Sequence, residues 1–257
     1  MTFLEAILLG LLEGITEFLP ISSTAHLLLA TKLFGIAETE FVKTFVIVIQ
    51  FGAILAVALM YLRRLLTDWK TNLRIIAAFI PTGIIGFVLY KIVKQFFFEA
   101  EWLILATLFL GGILLILFER RPKPASASDD LSTLPLRKAA LIGVAQAIAV
   151  IPGVSRSAAT ILGGEMLGLS RKAIVEFSFL LAIPTMLAAT GYDLLQSAPD
   201  FSSGDFHILA VGFIVSALAA WASVAWLLRY IQSHSFTAFG VYRIILSLVL
   251  TVLFFLR

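Results

Sequence analysis

Glu13-Gly14-Ile15-Thr16-Glu17-Phe18-Leu19-Pro20-Ile21-Ser22-Ser23-Thr24-Ala25-His26 sets two carboxylates, a run of three hydroxyl side chains and an imidazole into an otherwise apolar segment. A charged side chain at the centre of a membrane helix costs roughly 2.5–3.5 kcal/mol on insertion scales, so Glu13 and Glu17 need a partner or a wet cavity. Polar groups in such surroundings mark the default functional site.

The surroundings are apolar throughout. Of 257 residues, 60% are hydrophobic and 14% charged, with a mean hydropathy of +1.03, which places the chain among polytopic membrane proteins. There is no cysteine, which removes disulfides, thiolate metal sites and a cysteine nucleophile. The start, Met1-Thr2-Phe3-Leu4-Glu5, has no basic segment and no small-residue cleavage site, so it is expected to be retained.

Outward from the opening stretch, the chain matches itself at a spacing of 133: Gly10 with Gly143, Ile15 with Ile148, Ser22 with Ser155, Ala25 with Ala158 and Gly35 with Gly168. Pro20 and Pro152 miss that register by one, and each precedes a serine suited to cap a helix. Residues 3–18 read as a half-helix that breaks at Leu19-Pro20-Ile21, after which Ser22 or Ser23 caps a second half-helix to about Phe34. Neither piece has the roughly 20 residues that a span needs, which predicts a re-entrant hairpin around a cavity. Full spans follow at about 43–62, 74–92 and 102–118. The second half repeats the plan with a hairpin at about 138–168, broken at Ile151-Pro152-Gly153, and spans near 173–193, 207–228 and 237–256.

The expected fold is thus an all-α polytopic membrane protein, a single domain over 1–257. Its two inverted repeats, about 1–121 and 137–257, each hold a re-entrant helical hairpin plus three transmembrane helices, and a linker at about 122–136 joins them. Three spans is an odd number, so the halves run in opposite directions and the hairpins meet near the midplane. Charge agrees with this count. Twelve Lys and Arg, from Arg63, Arg64, Lys70 and Arg74 through Arg120, Arg121, Lys123, Arg137, Lys138, Arg171, Lys172 and Arg229, fall on one side. Five, Lys32, Lys43, Lys91, Lys94 and Arg257, fall on the other among Glu38, Glu40, Glu99, Glu101, Asp200 and Asp205. The positive-inside rule makes the first side cytoplasmic and turns the first hairpin outward. Pro122 to Pro135 reads as the flexible cytoplasmic linker.

Glu13 and Glu17 share a helix face and would repel if both were ionised, so a positive group is required. The second hairpin offers one in Pro152-Gly153-Val154-Ser155-Arg156-Ser157-Ala158-Ala159-Thr160. Arg156 and Thr160 share a face, Ser155 can cap, the helix start presents free N–H groups to an anion, and the guanidinium fork suits phosphate. Each residue alone admits a plainer role: the glutamates as outer caps, the hydroxyls as helix caps, His26 as a satisfied buried histidine, Arg156 as a counter-ion. At equivalent places in two repeats they point together to a site. No Gly-Lys-Ser/Thr follows the glycine, which argues against a nucleotide loop, and no metalloprotease or serine-hydrolase pattern occurs.

These two motifs, with Gln50-x-Gly52 and Glu176-Phe177-Ser178-Phe179-Leu180-Leu181-Ala182-Ile183-Pro184, resemble the bacitracin-resistance type of undecaprenyl-diphosphate phosphatase over essentially the whole chain. The resemblance implies inverted repeats with two re-entrant hairpins and removal of the terminal phosphate from the C55 isoprenyl diphosphate carrier of wall synthesis. The reaction would take place at the outer face of the bacterial inner membrane. By position it makes Ser23 the candidate nucleophile, with Glu13, Glu17, His26 and Arg156 catalytic and Ser22, Thr24, Gln50, Ser155, Ser157 and Thr160 on the substrate. Ala25 and Ala158 stand where the family usually has glycine.

Charge counting adds a cofactor. Two carboxylates and one arginine leave about one negative charge and the diphosphate brings roughly two to three more, so Mg²⁺ or Ca²⁺ on Glu13 and Glu17 is expected. The base, Glu17 or His26, and attack by Ser23 or by water stay open. The alternative activity is a transporter or flippase of isoprenyl phosphates, a common use of inverted repeats with broken helices. Nucleic acid is not an expected partner, and association into a homodimer stays open. Arg243, inside the last span, needs a buried partner such as a phosphate or Asp193, and Gln50 either reaches the pocket or bonds between helices.

Overall fold

The computed structural model describes residues 1–37, 39–97, 101–121, 128–196 and 205–255, with the side chains of 90–97, 194–196, 205 and 255 left aside. Lys91, Lys94, Glu99, Glu38, Lys123, Asp200, Asp205 and Arg257 of the charge count therefore lie outside the described side chains.

The first helix, α1 (Phe3–Thr16), starts on a reciprocal cap, in which the Glu5 N–H donates to Thr2 Oγ1 and the Thr2 N–H to the Glu5 carboxylate. It ends in a turn over residues 17–21, where Pro20 cannot continue the ladder. After it come α2 (Ser23–Leu33), α3 (Glu40–Met60), α4 (Leu62–Thr67), α5 (Trp69–Phe97) and α6 (Glu101–Glu119). The second half brings α7 (Leu136–Ala147), α8 (Arg156–Met166), α9 (Arg171–Gln196), α10 (Asp205–Tyr230) and α11 (Thr237–Phe255). Six of these, α3, α5, α6, α9, α10 and α11, are long and apolar enough to cross a membrane, so the chain is an all-helical, multi-pass membrane protein.

The helix pairs α1–α2 and α7–α8 begin at Phe3 and Ser23 and again at Leu136 and Arg156, 133 residues later in both cases. Ser22 (φ 71°) and Ser155 (φ 74°) are the two non-glycine residues with positive φ among the described residues, and Gly35 and Gly168 repeat the left-handed conformation. An L-residue is held there at a cost of order 1–3 kcal/mol, which persists where the surroundings impose it. The expected capping by Ser22 does not occur. Its side chain makes no cap bond, whereas Ser155 Oγ accepts the Ala158 N–H at 3.3 Å.

Close backbone approach holds the bundle. The α1 helix packs on α10, α10 on α3, α7 on α5 and α11 on α6. A Cβ on Gly143 would run into the Ala78 carbonyl, one on Gly10 into that of Gly212 and one on Gly112 into that of Gly240. Hydroxyls add bonds at the same contacts: Thr82 Oγ1 donates to Gly143 O at 2.7 Å and Ser216 Oγ to Ile49 O at 2.7 Å. Without a hydrophobic drive between helices in lipid, such contacts carry the packing. Gly143→Val is accordingly expected to cost about 1–3 kcal/mol by overpacking, read as a lower melting temperature of the purified protein. An unchanged melting temperature would contradict the α5–α7 contact.

The methyls of Ala25 and Ala158, where glycine was the family expectation, are buried in apolar clusters. Where it is described, from Ser128 on, the linker packs against the bundle. Residues 122–127 lie outside the described residues, but Leu131 and Leu134 beyond them are buried in the main core, and Arg74 Nε donates to Leu134 O at 3.0 Å. Two leucines in a polar segment give it apolar surface to bury, and that docks it.

Candidate active site

The turn after α1 and the start of α8 meet inside the bundle. Glu17 Oε1 accepts Arg156 Nη2 at 3.1 Å, and Glu17 Oε2 accepts Ser23 Oγ at 2.5 Å. Both ion-pair partners are largely buried, at 7% and 14% side-chain exposure, where a charge is tolerated only when paired. Arg156 Nη1 donates to Ser178 O at 3.0 Å, and the guanidinium lies 5.4 Å from the Phe18 ring centroid. Ser157 Oγ donates to Phe18 O at 2.9 Å, a second tie between the two broken segments.

These groups border a cavity of about 730 Å³. Its polar wall holds Glu17, Ser22, Ser23, Thr24, Gln50, Ser155 and Arg156, and a largely apolar wall runs along α5 and α9 past Ile80, Ile84, Phe87 and Met186, with Thr82, Thr185 and Asp193 among them. Seven of the residues named from sequence are thus brought together. Four are not on the wall. Glu13, 1% exposed, sits behind Glu17 with Oε2 unbonded. Ser157 faces the first broken segment, and Thr160 Oγ1 turns to Arg156 O and Gln146 Oε1, at 2.8 and 2.9 Å. His26 is engaged at both ring nitrogens, Nδ1 by Ser22 O and Nε2 by Tyr242 OH, each at 2.7 Å. A carbonyl only accepts, so Nδ1 carries a proton, and in the neutral ring Nε2 accepts the tyrosine O–H.

Among the described residues no group of three or more His, Asp or Glu could hold a metal by itself. Magnesium characteristically takes one or two carboxylates and completes its shell with phosphate oxygens and water. Two neighbouring glutamates, one with a buried oxygen lacking any partner, fit that requirement.

The family described as bacitracin resistance protein BacA matches residues 6–249. The chain belongs to this family. It is 52% identical to an undecaprenyl-diphosphatase of Aquifex aeolicus over 99% of each chain. It is 50% identical to one of Sulfurihydrogenibium over 96% of this chain and 98% of the relative. For one of Thermus thermophilus the identity is 48%, over 98% and 97%.

Within this BacA-family chain the buried arginine of the last helix has neither of its expected partners. Arg243 is fully buried, and its five N–H groups all go to main-chain carbonyls. Nε donates to Leu108, Nη1 to Pro20 and Val154, and Nη2 to Thr107 and Gly153, at 3.0 to 3.2 Å. One side chain therefore ties both chain breaks to α6. Gly111 makes room for it, since a Cβ there would strike the guanidinium. Carbonyl partners leave no mark in a sequence, and only the demand for some partner could be read. Gln146, on the cavity wall, was also missed. Its signal was its place 133 residues after Glu13.

Proposed function

We propose that this chain hydrolyses undecaprenyl diphosphate to undecaprenyl phosphate and inorganic phosphate. The relatives bear the name of that activity. The observation that carries the reading is Glu17 held between Ser23 and Arg156 at the polar end of a cavity whose other wall is largely apolar. A diphosphate head on an isoprenyl tail has that same division.

In the proposed reaction the diphosphate lies against Arg156 and the hydroxyls of Ser22, Thr24 and Ser155. Ser23 Oγ attacks the terminal phosphorus as its proton passes to Glu17 Oε2. The new Oγ–P bond forms as the bridging P–O bond breaks, and the electron pair leaves with undecaprenyl phosphate. Water then cleaves the phosphoserine and releases inorganic phosphate. Arg156 stabilises the charge spread over the equatorial oxygens, and in phosphoryl transfer such electrostatic stabilisation does most of the catalytic work. Glu17 is favoured over His26 as base because Ser23 already donates to it and both His26 nitrogens are engaged. Mg²⁺ or Ca²⁺ on Glu13 and Glu17, when bound, would offset the remaining negative charge. A chelator is expected to stop phosphate release by the purified protein, and added Mg²⁺ or Ca²⁺ to restore it. Undiminished release after chelation would refute the metal assignment.

The halves are read as inverted repeats, each with a re-entrant hairpin, and the cavity as opening toward the outer face of the inner membrane. Lengths support this, since α1 and α2, of 14 and 11 residues, rise about 21 and 16 Å against a hydrocarbon core of about 30 Å. Charge partners support it too. Lys32 pairs with Glu101, both assigned outside, while Arg64 pairs with Glu176 and Arg171 with Glu119 on the side assigned to the cytoplasm. Such a site would return the wall-synthesis lipid carrier to its monophosphate form and so confer the bacitracin resistance for which the family is named. The transport reading is not favoured, because the relatives are named for hydrolysis. Lipid movement across vesicles by a hydrolysis-dead variant would revive it.

A further inference from the structure

Gln146, on α7 and 2% exposed, has no place in the reaction as described. Its Oε1 is held by Thr160 Oγ1 at 2.9 Å, and Thr160 is itself anchored to Arg156 O at 2.8 Å, so that one hydroxyl proton is shared between the two carbonyls. In this orientation of the amide, Nε2 is the end left over. Nε2 is left without a hydrogen-bond partner, although Gln146 lines the same cavity as Glu17, Ser23 and Arg156. A buried donor left unbonded costs about 1–3 kcal/mol, and in native proteins such a group calls for a ligand or a water.

The chemistry of the residue type says which ligand. Gln146 falls 133 positions after Glu13, so the second half carries a neutral amide at the place where the first carries an acid. A further carboxylate on the wall would repel an anionic head that already faces Glu17. An amide brings two donors and no charge. We infer that Gln146 contacts the substrate, its Nε2 donating to an oxygen of the diphosphate, with Thr160 as a positioning residue that acts only through Gln146. The inference rests on the phosphatase reading for the identity of that anion.

Steady-state phosphate release from undecaprenyl diphosphate in detergent tests it, with wild type, Gln146→Met, Gln146→Glu and Thr160→Val compared. Loss of one bond to a charged oxygen is expected to raise KM about ten-fold or more in Gln146→Met, with kcat within about three-fold of wild type. Gln146→Glu, of the same shape but negative, is expected to raise KM further. Thr160→Val, which frees the amide to rotate, is expected to give a smaller rise that Thr160→Ser reverses. An unchanged KM in a Gln146→Met protein that melts like wild type would overturn the assignment. So would tighter substrate binding or a lower metal requirement in Gln146→Glu, because the carbonyl end would then face the cavity. Thermal protection of the wild type by undecaprenyl diphosphate, lost in Gln146→Met, reads the contact without turnover. Wild-type protein that is protected but releases no phosphate would sink the phosphatase reading and leave the contact standing.

Discussion

Arg156→Met is expected to lower phosphate release from undecaprenyl diphosphate by about a thousand-fold, with most of the loss in kcat. Removing one preorganised donor at a developing oxyanion costs about 10²–10³ in rate, and an arginine on a transferring phosphoryl group is worth about 10³–10⁵. Methionine keeps the length and the apolar stem, so the packing against Phe18 is retained while the charge is lost. The change also leaves the Glu17 carboxylate buried without its counter-charge, and breaking such a pair costs about 3–5 kcal/mol. A lower melting temperature should therefore accompany the kinetic loss. Arg156→Lys separates the two effects, since an ammonium keeps the charge but cannot reach Glu17 and the Ser178 carbonyl through a planar fork. It should recover stability more fully than rate. Near-wild-type turnover in either variant would defeat the role given to Arg156.

Glu17→Gln is expected to lower kcat by about a hundred-fold or more, the usual scale for loss of a positioned base. The substitution is isosteric. It preserves an acceptor for Arg156 Nη2 at one oxygen position and removes the anion that receives the Ser23 proton at the other. Divalent-metal requirement is the second readout, because the same carboxylate is proposed to share the cation with Glu13, and the concentration of Mg²⁺ needed for half activity should rise. Wild-type kcat with an unaltered metal requirement would show that Glu17 is only the structural partner of Arg156.

Much of the site was legible in the amino-acid sequence, and for one physical reason. A hydrocarbon environment makes polar residues costly, so those that remain announce themselves. Glu17 demanded a cation, Arg156 was the nearest candidate in the matching break, and the two are paired. The breaks at Pro20 and Pro152 were equally plain, since proline ends a ladder wherever it falls. What could not be read depends on groups that every residue carries. Arg243 satisfies itself with carbonyls, so neither Asp193 nor a phosphate is its partner. Ser22 was read both as a possible helix cap and as a substrate contact; it makes no cap bond and lines the cavity, and what the sequence did not show is the positive φ at which the fold holds it. His26 was named among the catalytic groups by the resemblance, and its two ring nitrogens are engaged by Ser22 O and Tyr242 OH, partners that the sequence did not announce. Thr160 shares a face with Arg156, as the four-residue spacing required, but Gln146 intercepts it.

A double-mutant cycle on phosphate release, built from Glu17→Gln, Arg156→Met and the two combined, tests most directly whether both broken segments form one site. Residues that act as a unit lose activity once, so the double variant should be little slower than Arg156→Met alone. Losses that multiply, near a hundred-thousand-fold in the combined protein, would mean that Glu17 and Arg156 act independently and would contradict the account.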